Sequence, residues 1–127
     1  YVLGKHCGSA GLFATLDDLL QFSHALLETN LNGLVKPETI ASLFYDQTPM
    51  NGEHLRSFGW KLFHSKTDDR HFVISHTGYT GTWMVLDKQT DQGMIVLTNR
   101  VHPSADNQAF LDARDRLFAT YLNEKDL

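Results

Sequence analysis

Hydrophobic positions along the chain fall into two rhythms. Between residues 16 and 29, Leu16, Leu19, Leu20, Leu26 and Leu27 recur at intervals that line one side of an α-helix. Thr15 followed by Asp18 three residues later resembles a capping box, so a helix is predicted over about 16–29. Asn30 to Gly33 should end it, because Asn and Gly tolerate a left-handed backbone. Pro37 at a first-turn position, Glu38 beside it and Ile40, Leu43 and Phe44 behind predict a second, short helix. From Phe58 the interval drops to two: Phe58, Trp60 and Leu62 alternate with Gly59, Lys61 and Phe63, as in a strand with one buried face. His71 to His76, Thr82 to Asp87 and Gly93 to Thr98 read as three further strands. The polar stretch Lys88 to Gln92 is short enough to join the last two as a hairpin. After Pro103, the residues Phe110, Ala113, Leu117 and Tyr121 mark one face of a closing helix over about 105–123. Residues 1–14, with Gly4, Gly8 and Gly11, read as an irregular lead-in. The expected fold class is α+β: an antiparallel sheet of about four strands with flanking helices. The closing helix packs on one face, and the other needs cover from the first two helices or from something further.

Composition narrows the function classes. The 127 residues, 42% hydrophobic, suffice for one core and one domain. No apolar run approaches the roughly 20 residues that cross a bilayer, and YVLGKHCGSAG lacks the charged-then-apolar order of a signal peptide, so the chain is expected to be soluble. With 11 basic against 15 acidic side chains and no Lys/Arg cluster, nucleic acid is not expected as a partner. A single cysteine, Cys7, excludes an internal disulfide framework and multi-cysteine metal sites. The seven histidines include no His-Glu-x-x-His, and His71 and His76, five apart on a strand, would point to opposite faces. No metal and no cofactor are expected. Cys7 lacks an identifiable base, and Ser9 in Gly-Ser-Ala-Gly lacks the first glycine of a nucleophile elbow, so both read as loop residues.

The stretch most unlike ordinary strand and turn is Ser75-His76-Thr77-Gly78-Tyr79-Thr80-Gly81-Thr82, two glycines and three threonines at a strand junction. A glycine beside a strand marks a bulge or lets a second backbone or a ligand approach. In the second case edge N–H groups would face a substrate carbonyl, flanked by His76 and Thr77, which suits acyl transfer and its developing oxyanion. Trp83, just after the glycines, is placed to line a cleft or pack on the sheet.

His76-Thr77-Gly78 resembles the third box, in its histidine form, of the penicillin-recognising serine hydrolases: class C-like β-lactamases, DD-peptidases and related esterases. Three further segments are similar to that family in the same order. They are Ala10-Gly11-Leu12-Phe13-Ala14-Thr15 with Asp17-Asp18-Leu19 and Phe22, then Phe58-Gly59-Trp60, then Leu97-Thr98-Asn99-Arg100. The resemblance implies a partial β-lactamase/transpeptidase-like fold, with residues 1–127 as a C-terminal segment. It implies that His76 aids proton movement and, with the Thr77 hydroxyl, holds a substrate carboxylate. Gly78 would leave room for the substrate, Thr80 and Asn99 would border it, and the Tyr79 backbone N–H would be one of two oxyanion donors. The substrate class implied is a small-molecule or peptide acyl compound: a β-lactam, a D-Ala-D-Ala peptide or an ester.

The departures carry equal weight. No serine in the chain is followed three residues later by lysine, so the family's nucleophile box is absent from these residues. Lys66-Thr67 is followed by Asp68, and Tyr121-Leu122-Asn123, which spells Tyr-x-Asn, follows His76 and lies in the closing helix. The isolated chain is therefore expected to be inactive. The alternatives are a non-catalytic binding or interaction module that keeps the sheet and its groove, and, further off, a small metal-dependent hydrolase using the histidines. If the family's N-terminal strands pair beside Gly93 to Thr98, that strand is an exposed edge here, and self-association through it or through an uncovered sheet face is expected.

Overall fold

The computed structural model describes residues 10–28, 31–48, 55–68 and 72–124. Cys7, Ser9, Asn30, His71 and most of the glycine-rich lead-in lie outside them. Helix α1, Leu16–Leu27, starts where the capping box predicts: Thr15 Oγ1 accepts from the Asp18 N–H, and the Asp18 carboxylate accepts from the Thr15 N–H at 2.8 Å. The bonds that the Asp18 carboxylate accepts, first from the Thr15 N–H and then from the Thr15 hydroxyl, hold that carboxyl below its ordinary range. Past the helix, Leu31, Asn32 and Gly33 all have positive φ, the left-handed stop expected there. Helix α2, Pro37–Ser42, opens on its proline.

Strands β1 (Lys61–His64), β2 (Phe72–Thr77), β3 (Trp83–Asp87) and β4 (Gln92–Val96) form one antiparallel meander in the order β1-β2-β3-β4. Helix α3, Gln108–Glu124, closes the chain, with the Asn107 side chain accepting from the Phe110 N–H at its start. Because successive strand residues face opposite ways, the sheet feeds two cores. Ile74, Leu62 and Leu86 join Leu26 of α1, Ile40 of α2 and Phe44 just past it, whereas Val73, Trp83 and Val85 meet Phe118, Tyr121 and Leu122 of α3. The first two helices thus supply the cover that the second sheet face requires. Lys88, at the start of the β3–β4 turn, donates from Nζ to the Leu27 carbonyl at 2.6 Å, capping the end of α1 from across the domain.

Two sequence expectations shift. The strand predicted from Phe58 begins at Lys61 instead. Gly59 has φ +78° and Ser57 and Trp60 exchange backbone hydrogen bonds, so a tight turn occupies 57–60 and leaves Phe58 61% exposed. The closing helix starts at Gln108 rather than 105, and its buried side is rotated from the expected face. Leu117 is 46% exposed, and Phe118 takes the inward place, edge-on to Phe63 and Trp83 with ring centroids 4.8 and 5.4 Å away.

Candidate active site

The candidate site is the β2–β3 hairpin end. Gly78 N–H donates to the Thr82 carbonyl at 2.6 Å and Gly81 N–H to the Gly78 carbonyl at 3.1 Å, closing a three-residue loop with Tyr79 and Thr80 at its corners. Gly81 completes the loop at φ +109°, the left-handed position that such hairpin loops require. A Cβ there would lie 2.6 Å from Thr98 Oγ1. That hydroxyl donates instead to the Gly81 carbonyl at 2.7 Å.

Hydrogen-bond alternation decides which way the main chain faces. Gly78 bonds toward β3, so Thr77, one residue earlier, turns its N–H and C=O to the β1 side. There β1 has ended: its last partner is Lys61, opposite Ser75. The ribbon 77–79 is consequently open on that side among the described residues. Tyr79 N–H donates to no described residue, while the Tyr79 carbonyl accepts from Arg100 Nε at 2.9 Å. A free donor beside an open strand margin can bind a carbonyl oxygen.

The expected site residues are partly brought together. His76 sits on the α1 face, its ring 6.2 Å from the Trp60 ring at 87°, in a depression of about 170 Å³ floored by Met84 and Ile95 and walled by Leu19, Leu97 and Gly78. Thr77, the next strand residue, points to the α3 face, so the imidazole and the hydroxyl lie on opposite sides of β2. They share the strand end rather than one pocket. Thr80 is exposed, and its carbonyl accepts from the Arg100 N–H at 2.9 Å. Asn99 is exposed between Thr98 and Arg100, the two residues that tie down the loop.

The sequence reading overlooked Arg100. Its guanidinium lies 5.1 Å over the exposed Tyr79 ring, bonds the Tyr79 carbonyl, and reaches the Ala105 carbonyl through Nη1 at 2.9 Å. The Tyr79 N–H is trans to the Gly78 carbonyl in one peptide plane, so the Gly81 N–H bond to that carbonyl fixes its direction. The available signal was an arginine directly after the last strand. Trp60, stacked edge-on to His76, was read only as sheet packing. Among the described residues no three His, Cys, Asp or Glu side chains come together as a metal group, and no helix is long and apolar enough to cross a membrane.

Two putative D-alanyl-D-alanine carboxypeptidases, from Escherichia coli O157:H7 and Escherichia coli strain K12, are each 29% identical to the chain over 123 residues, covering 85% of it. The chain spans 27% of the length of either relative. No solved structure matches. The Beta-lactamase family profile matches residues 1–117, nearly the whole sequence, and with it the chain belongs to the beta-lactamase family.

Proposed function

We propose that these residues furnish the carbonyl-binding strand of a serine acyl-transfer site whose attacking serine and its lysine come from polypeptide beyond the 127 residues. The observation that carries this reading is the Tyr79 N–H, without a partner among the described residues, at the open end of β2. An amide, lactam or ester lies along residues 77–79, and its carbonyl oxygen accepts from Tyr79 N–H. Serine Oγ passes its proton to the lysine and bonds to the carbonyl carbon, the oxygen gains negative charge, and the N–H, already aimed, stabilises it without reorganisation. The carbon–leaving-group bond then breaks, the leaving group takes a proton, and water resolves the acyl-enzyme. His76, at the strand's α1 face, exchanges protons with the leaving group or orients the acyl compound. Thr77 contributes its main-chain groups to the substrate and its hydroxyl from the other face. The two relatives bear the name carboxypeptidase for D-alanyl-D-alanine, which favours a peptide or peptide-like acyl substrate.

The test has two arms. Alone, the chain should turn over neither a chromogenic cephalosporin nor a short-chain ester, and turnover that His76→Ala abolishes would overturn the proposal. Joined to the serine-bearing portion of either relative, it should acquire turnover. There Tyr79→Pro, which removes the N–H at a loop corner that accepts proline, should lower kcat by about 10²–10³. The absence of Ser-x-x-Lys from the sequence favours a second reading, a non-catalytic module that binds acyl peptides along the same strand. Under it, D-alanyl-D-alanine peptides shift the Tyr79 amide resonance, but the joined protein gains no turnover.

A further inference from the structure

Consecutive carbonyls run round the β2–β3 loop, and each is held. Gly78 accepts from the Gly81 N–H at 3.1 Å, Tyr79 from Arg100 Nε at 2.9 Å, Thr80 from the Arg100 N–H at 2.9 Å and Gly81 from Thr98 Oγ1 at 2.7 Å. The first of these bonds closes a β-turn over residues 78–81 and, through the shared peptide plane, sets the direction of the Tyr79 N–H. Between its two ends lie the peptide planes 79–80 and 80–81. Both are gripped by Arg100, one by its side chain and one by its main chain. Many β-turns lack a closing hydrogen bond, so the bond from Gly81 depends on those two planes staying where Arg100 holds them.

The arginine is built into this position from both ends. A Cβ on Gly81 would stand 3.2 Å from Arg100 Cβ and Cγ, so the stem of the side chain lies against bare backbone. At the far end Nη1 donates at 2.9 Å to the Ala105 carbonyl, which also accepts from the N–H of Asn107, the residue that caps α3, at 3.1 Å. The bonds from Nε and Nη1 are charge-assisted, and a planar guanidinium can span two carbonyls that a single ammonium cannot.

We infer that Arg100 is a positioning residue for acyl transfer: it keeps the 78–81 turn closed, with the start of α3 as its abutment, and so keeps the Tyr79 N–H presented to a substrate carbonyl. Its catalytic consequence rests on the acyl-transfer reading of this strand end, whereas its hold on the turn belongs to the chain alone. Arg100 bonds the carbonyls of the loop and not its donors, so it acts through the main chain rather than on the substrate. A lysine in its place keeps the charge and the reach to one carbonyl but loses the span from the loop to Ala105.

In the purified chain, amide hydrogen exchange followed by NMR should find the Gly81 N–H protected, and Arg100→Lys should speed its exchange about tenfold while urea denaturation shows the fold retained. The Arg100 Nε–H of the unaltered chain should itself exchange slowly, a measurement that stays decisive if the variant does not fold. With the chain joined to the serine-bearing portion of either relative, Arg100→Lys should lower kcat about tenfold and leave KM unchanged, as expected for loss of an interaction made in the transition state. Gly81 exchange indifferent to Arg100→Lys, an Nε–H that exchanges like that of a solvated arginine, or a kinetic effect confined to KM would each overturn the positioning role. A joined protein with no turnover before any substitution would overturn the acyl-transfer reading, and with it the catalytic consequence, while the two exchange measurements would still decide whether Arg100 holds the turn.

Discussion

The two hairpin ends on either side of β3 handle their main-chain groups in opposite ways. At the β3–β4 turn the buried Asp87 carboxylate accepts from the Gln89 N–H at 3.0 Å, the Thr90 N–H at 3.3 Å and Thr90 Oγ1 at 2.7 Å, and Asp91 closes the turn at φ +52°. At the β2–β3 loop the carbonyls of Tyr79, Thr80 and Gly81 are bonded by Arg100 and Thr98, and the Tyr79 and Thr80 N–H groups are left without a partner among the described residues. A turn whose donors are consumed by an internal carboxylate serves stability alone. One whose acceptors are filled and whose donors stay free among the described residues can meet an outside acceptor.

Breaking the closed turn should have the largest effect. Asp87→Ala strips a fully buried carboxylate from three donors and should cost about 3 kcal/mol in urea denaturation while leaving the Tyr79 amide environment unchanged. A stability loss below about 1 kcal/mol would show that the two turns do not differ in kind. Gly81→Ala strikes the open loop through its backbone. A methyl at φ +109°, pressed on Thr98 and Arg100, should cost about 2 kcal/mol and, unlike Asp87→Ala, move the Tyr79 amide resonance. The smallest effect should come from Tyr121, whose buried hydroxyl has no hydrogen-bond partner among the described residues. Tyr121→Phe should stabilise the fold by about 1 kcal/mol. Burial first, then the Asp87 charge, raises the Tyr121 pKa above 10.0. The folded state thus holds this proton more tightly than the unfolded chain, so stability is retained below pH 10 and declines as pH rises through the folded pKa. The phenylalanine variant should lack that part of the alkaline decline.

Much of the fold is legible in the residues because local chemistry decides it. The Thr15–Asp18 box starts α1, Pro37 starts α2, and the alternation from Phe72 to Val96 yields three strands in the expected order. The errors come where a repeating pattern outlasts the element it suggests. Phe58-Gly59-Trp60 continues the two-residue rhythm of β1, yet a left-handed glycine bends the chain there. In α3 two helical stripes compete, one through Ala113 and Leu117 and another through Leu111, Phe118 and Leu122, with Tyr121 close to both. Only the aromatic edge of Phe63 and Trp83 on the sheet selects Phe118. At the site, His76, Gly78 and Tyr79 are conspicuous by residue type. The separation of His76 from Thr77 follows from strand alternation, and Arg100 escapes notice because its role depends on a contact 21 positions away.

The Lys88 ammonium on the Leu27 carbonyl joins segments 61 residues apart in the chain. It rivets the last turn of the first helix to the far hairpin, so fraying at either place exposes an orphaned polar group at the other. Loosening either place should therefore loosen the other, so amide exchange in the last turn of α1 and in the β3–β4 hairpin should rise together when Lys88 is replaced by Met.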